Sequence, residues 1–136
     1  FWGGLYQWDE MMQYDTIEGT QGICPTGWHI PTDAEWCILE NFVDTTTDPV
    51  CSLSSLRGTD GGTKLKQGGS SGFEAFLAGY FNNQGYFSFS DTLTWLWSST
   101  EIGTDAWLRS LDVSEARVSR ITEHKIFGFS VRCIKD

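Results

Sequence analysis

The sequence predicts an α+β fold in a single domain over residues 1–136, on three observations. Thr32-Asp33-Ala34-Glu35 has the form of a capping box ahead of an apolar stripe at helical spacing. A shorter stripe of the same period precedes it. From Phe73 onward the chain breaks into short aromatic and β-branched runs separated by Gly, Asn and Asp. Helices therefore gather in the first third and strands in the remainder, the segregated order of an α+β layout.

Leu5, Trp8, Met11 and Met12 predict an amphipathic helix over about residues 5–14, with its apolar side toward the core. Gly19 and Gly22, then Cys24-Pro25-Thr26-Gly27, read as turns leading to Trp28 and Ile30. At the capping box the Thr32 hydroxyl is placed to accept the Glu35 amide hydrogen, and the Glu35 carboxylate to accept that of Thr32. Trp36, Leu39 and Val43 line the stripe of the helix that follows, Phe42 widens it, and the threonine run before Asp48-Pro49 ends it. The segment from Pro49 to Ser71 reads as a long surface loop in which Thr63–Lys66 is the one extended patch. In the last run, Phe127, Phe129, Val131 and Cys133 alternate with Gly128, Ser130 and Arg132, which places the apolar set on one face of a strand. Trp107, Arg109 and Leu111 alternate with Leu108 and Ser110, leaving no clean solvent face and predicting an interior strand.

Composition narrows the classes of function. Apolar residues make up 40% of the chain, with nine Phe, seven Trp and three Pro, which argues against disorder. Eighteen acidic residues against nine basic ones give a net charge of −9, which repels nucleic acid and anionic headgroups unless basic residues cluster, and they do not. No run approaches the roughly 18–20 apolar residues of a membrane span, so direct membrane insertion is not expected. The opening Phe1-Trp2-Gly3-Gly4, without an initiator Met or a signal peptide, reads as a processed or trimmed chain.

Cys24, Cys37, Cys51 and Cys133 admit three complete pairings, and none sits in a Cys-x-x-Cys motif. Disulfides in an extracellular or cell-surface setting are the better reading than a zinc site. His29, beside Trp28 and the capping box, reads as structural and His124 as exposed; neither has a ligand at metal-binding spacing, and no metal or cofactor is expected. Ser98 and Ser99 lack a nucleophile signature and read as hydroxyls bonded to backbone. Asp91, Glu101 and Asp105 lack the spacing of a dedicated calcium loop. No complete catalytic centre emerges, so the chain does not read as an enzyme.

The run from Cys24 to Trp36, then Gly72-Phe73, Ala78-Gly79-Tyr80, Leu96–Glu101, Ala106-Trp107, Lys125 and Gly128–Cys133, resemble the Fibrobacter succinogenes major paralogous domain. The resemblance implies an exported bacterial protein and a branch of the C-type lectin-like fold that includes the formylglycine-generating sulfatase-modifying enzymes. It implies two helices, long loops and a small curled antiparallel sheet closed by the final strand. The family's usual segment upstream of a block like Gly3-Gly4-Leu5-Tyr6 is absent here. The cysteine pair of the formylglycine-generating relatives has no counterpart, since Cys133 is alone in the second half, and the tripeptides of calcium-dependent lectins are missing.

By analogy with the long-range bridge of lectin-like relatives, and from the inward face shared by Phe129, Val131 and Cys133, the pairing expected is Cys24 with Cys133. The second expected pairing, Cys37 with Cys51, would tie the first turns of the capped helix to the loop after Asp48-Pro49. The stretch that forms the ligand face in some lectin-like proteins corresponds to Trp95–Lys125, whose candidates for ligand contact are Trp95, Trp107, Arg109, Arg117, Arg120 and His124. Rigid aromatics and forked guanidiniums suit contact hot spots. The function expected is a non-catalytic binding or adhesion module for a protein or glycan. The alternative is a structural module of a larger surface protein or filament, with neighbouring copies of itself as partners.

Overall fold

The first apolar stripe folds as a single turn, α1 (Trp8–Met11), shorter than the spacing predicts. Gln13 and Tyr14 adopt left-handed φ values of 54° and 61°, which turn the chain away before a second turn can form. In this computed structural model, which describes residues 3–52 and 54–136, β1 (Trp28–His29) comes next and leads into α2 (Asp33–Val43). The capping box closes as its spacing predicts: the Glu35 amide donates to the Thr32 hydroxyl at 3.1 Å, and the Thr32 amide to the Glu35 carboxylate at 2.8 Å. The buried stripe of α2 is Asp33, Trp36, Cys37 and Glu40, at positions i, i+3, i+4 and i+7. Phe42 falls on the opposite side of the helix and is 83% exposed, so it does not widen the stripe.

The segment expected to be a long loop carries two elements, β2 (Ser55–Arg57) and α3 (Gly61–Leu65). Thr63–Lys66 is accordingly helical for most of its length rather than extended. Gly62 permits this placement, because a Cβ there would stand 2.4 Å from the Arg117 carbonyl oxygen, while the Thr63 amide donates to Ala116 at 3.0 Å. Beyond it, β3 (Tyr80–Phe81) and β4 (Phe87–Ser88) form a hairpin, then β5 (Leu93–Ile102), β6 (Asp105–Asp112) and β7 (Val118–His124) form a meander, and β8 (Ile134–Lys135) ends the chain. The main sheet runs β2-β7-β6-β5, all antiparallel, and β1-β8 and β3-β4 are separate two-stranded sheets.

This corrects the lectin-like expectation. Among the described residues there are three helices rather than two, and three open antiparallel sheets, none curled or closed by a final strand. The physical reason lies in the Phe127–Cys133 run, which pairs with no single strand. Gly128 bridges to Phe81, Phe129 to Tyr6 and Ser130 to Leu96, so its backbone bonds are shared among three neighbours while its side chains pack inward. Phe1 and Trp2, on which the reading of the opening rests, lie outside the described residues.

Both faces of β6 are buried. Ala106 and Leu108 join Trp8, Met11, Trp97 and Phe129 in one apolar cluster, while Leu111 joins Trp36, Leu65, Leu96 and Val118 in a second beneath α2. The buried indoles all find carbonyl partners, Trp8 on Ser98, Trp36 on Trp97 and Trp97 on Tyr6. No helix among the described residues is long and apolar enough to cross a membrane.

Candidate functional site

The stripe that α2 turns toward the main sheet carries two carboxylates, and the facing strands carry three arginines. Register sets Arg109 of β6 directly opposite Arg120 of β7, an arrangement that repels unless an anion stands between them. Asp33 is that anion: its Oδ1 accepts from Arg109 Nη1 at 2.7 Å and Arg120 Nε at 3.0 Å, and its Oδ2 from Arg120 Nη2 at 2.7 Å. One turn pair further along α2, Glu40 is shared by the Nε groups of Arg57 and Arg109. Glu40, Arg57 and Arg109 are all but fully buried. Burial acts to raise the Asp33 carboxyl, but the hydrogen bonds and charges of Arg120 and Arg109 outweigh it and hold the group below its ordinary value. No buried side-chain nitrogen or oxygen among the described residues lacks a hydrogen-bond partner.

The disulfide Cys37–Cys51 lies against this cluster, with its Cα atoms 5.9 Å apart; Cys24–Cys133 joins the turn before β1 to the terminal segment, with Cα atoms 5.8 Å apart. Asp33, Cys37 and Cys51 bring a carboxylate oxygen and two sulfurs within 4.8 Å of one another. As a cation site the trio fits poorly. A disulfide offers no thiolate, and the two guanidiniums on Asp33 occupy the place a cation would take.

The six candidates for ligand contact do not form one surface. Arg109 and Arg120 are committed to Asp33 and Glu40, and the Arg120 guanidinium also lies 3.5 Å over the half-buried Trp107 ring. These three come together, but inside the molecule. Arg117, just before β7, pairs with Glu115 at 2.8 Å, and His124 is exposed at the far end of the same strand. Trp95 belongs to the other face of the sheet. Asp91 precedes β5, whereas Glu101 lies near its end, bound to Lys125, so the carboxylates weighed for calcium are not gathered. His29 bridges Asp136 at 2.7 Å and Glu35 at 2.9 Å, and those two bonds raise its pKa despite partial burial. Ser98 and Ser99 spend their hydroxyls on the carbonyls of Trp107 and Ile30.

Tyr86, Phe87 and Phe89, which carry no signature in the sequence, form an exposed aromatic group beside Tyr80 and Trp95. Tyr80 is sandwiched between Trp95, at 4.6 Å and 4° between planes, and Phe89, at 5.7 Å and 17°, so a stack of three rings runs from the core to the surface. Phe89 stands at its outer end. Tyr86 and Phe87, on the adjoining hairpin, are 66% and 76% exposed. The turn between β3 and β4 is held by the Asn82 side chain, which accepts the amides of Gln84 and Tyr86 at 3.0 Å each, and Asn83 and Gln84 stand exposed beside the rings. Of this group the sequence pointed to Trp95 alone as a contact candidate; the exposure of Tyr86, Phe87 and Phe89 was not legible, because it depends on which rings the core takes.

No curated protein and no solved structure matches the chain. The Fibrobacter succinogenes major domain family, however, matches residues 2–135, a span that takes in α2 with its capping box, both disulfides and all eight strands. The chain belongs to the Fibrobacter succinogenes major domain family.

Proposed function

We propose that this domain is a non-catalytic extracellular or cell-surface binding module, and that it contacts a protein or glycan through the β3–β4 hairpin and the adjoining Trp95–Tyr80–Phe89 stack. The observation that carries the reading is the exposure of Tyr86 and Phe87 on the β3–β4 hairpin and of Phe89 directly after it, beside the amides of Asn83 and Gln84. Large rings flanked by adaptable polar groups are the chemistry of sugar and protein contact surfaces. The net charge of −9 favours a ligand without strong negative charge. Two disulfides support a location in an oxidising compartment.

Titration against neutral polysaccharides and bacterial surface proteins tests the proposal. Saturable binding is expected, weakened about tenfold or more by the double change Tyr86→Ala and Phe87→Ala and little altered by Arg117→Ala or His124→Ala. Binding that ignores the hairpin, or no binding to either class, overturns it. A second reading rests on the outer edge of β4, because β3 already bridges to Gly128 through Phe81 while the far side of β4 offers backbone groups to another copy of the chain. Sedimentation separates the two: assembly abolished by the same double change favours self-association.

A further inference from the structure

We propose that Cys37–Cys51 is an exchangeable disulfide, in which an incoming thiolate attacks Cys51 Sγ and Cys37 departs as a thiolate held by Arg109 and Arg57. The inference is independent of the hairpin and rests on the surroundings of the two sulfurs. Arg109 Nη2 lies 3.2 Å from Cys37 Sγ and 3.5 Å from Cys51 Sγ, and Arg57 Nη2 lies 3.7 Å from Cys37 Sγ. A disulfide sulfur is a weak acceptor, whereas a thiolate in the same place accepts charge-assisted bonds from both guanidiniums.

The charges around the bond favour its reduced form. Arg57, Arg109 and Arg120 face two carboxylates, Asp33 and Glu40, so while the disulfide is intact these five side chains carry one excess positive charge. A Cys37 thiolate cancels it. Asp33 and Glu40 repel that thiolate, but each is held by two guanidiniums, and an Arg109 nitrogen is in direct contact with the sulfur. Asp48, the next carboxylate, is turned to Ser52 and Val50, and its backbone carbonyl accepts from Arg57 Nη2. Arginine beside a cysteine lowers its thiol pKa, makes it a faster leaving group and stabilises the reduced state. Cys24–Cys133 provides the contrast, since Cys24 is buried in the apolar cluster and Arg132 reaches over Phe73 instead.

Access fixes the direction of attack. Cys37 is 1% exposed on α2, while Cys51 is only partly buried, on the connection between α2 and β2. With a dithiol as reductant, one thiolate forms a bond to Cys51 Sγ as the Cys37–Cys51 bond breaks, and the electron pair goes to Cys37. The second thiol of the reductant then displaces Cys51, closing the reductant's own disulfide. Of the two protons released, one remains on Cys51 and the other passes to solvent.

The test uses the folded, oxidised protein and graded dithiothreitol, with trapping by alkylation, peptide mapping and circular dichroism. Cys37–Cys51 is expected to open at about a tenfold or lower dithiol concentration than Cys24–Cys133, with the near-ultraviolet signal retained. Thiolate absorbance of the partly reduced protein is expected to titrate below about pH 7, to persist in Cys51→Ser and to vanish in Cys37→Ser. Three results each overturn the proposal: Cys24–Cys133 opening first, absorbance that rises only near the ordinary thiol value of about 8.5, or collapse of tertiary structure when Cys37–Cys51 opens.

Discussion

Two sides of one strand show two ways of filling an interior. On one side of β6, Leu108 packs among Trp8, Trp97 and Phe129, where stabilisation grows with apolar area and each contact is weak and replaceable. On the other side, one residue along, Arg109 meets Asp33 and Glu40, where the Coulombic gain and the desolvation cost are both large and nearly cancel. The apolar side therefore tolerates loss in proportion to what is removed. The charged side holds only as a set, and it fixes the rotation of α2 over the sheet, because no other face of the helix offers two carboxylates a turn pair apart.

Neighbouring positions test that contrast. Glu40→Ala leaves the Arg57 and Arg109 Nε groups without their shared anion, and a loss near 5 kcal/mol is expected, the upper end for breaking a buried pair. Leu108→Ala removes only packing and is expected to cost about 3 kcal/mol. Urea unfolding measures both. Equal costs would remove the distinction drawn between the two sides.

Acid and base sharpen it next. Asp44 is buried at the end of α2, yet bonds from the Thr46 hydroxyl and from the amides of Thr59, Asp60 and Thr46 outweigh burial and hold its carboxyl low, as Arg120 and Arg109 do for Asp33. A lowered folded-state value means that the stability both contribute is complete above the unfolded value of about 3.9 and is lost as pH falls through the folded one. His29 has the opposite sign. Its raised value means that its contribution is complete below about pH 6.5 and is lost as pH rises through the folded value. The urea midpoint is thus expected to peak between about pH 5 and 6 and to flatten on the alkaline side in His29→Gln. An alkaline limb unchanged by that substitution contradicts the assignment.

The smallest effect expected is that of Thr32→Ala, about 1 kcal/mol, because it removes one cap bond and leaves both interiors intact. A loss below a few tenths would place the stability of α2 in its tertiary contacts alone.

Much of the fold was legible. The capping box marked the start of α2 to the residue because that signal is local, lying within four consecutive positions. The interior character of β6 was legible from apolar residues on both sides of its alternation. The length of α1 was not, since two left-handed residues after it carry no compositional mark. The burial of Arg109 and Arg120 against carboxylates was not legible for a related reason: an arginine in a strand looks the same whether it meets solvent or a buried acid. A clue lay in α2 itself, where Asp33 and Glu40 share a stripe with Trp36 and Cys37, a position that exposed carboxylates do not occupy.

What the sequence by itself determined, then, is what depends on nearest neighbours along the chain: the capped helix, the alternation of the strands, the acidity, and four cysteines poised for oxidation. What only the tertiary structure decided is what depends on distant segments meeting. The open β2-β7-β6-β5 sheet in place of a curled one, the final run shared among three partners, the two carboxylates set among three arginines, and the rings left outside on the β3–β4 hairpin all belong to this second kind. The physical reason is that burial is a competition among the whole chain's side chains for one interior. A residue's own type sets only the cost of losing it.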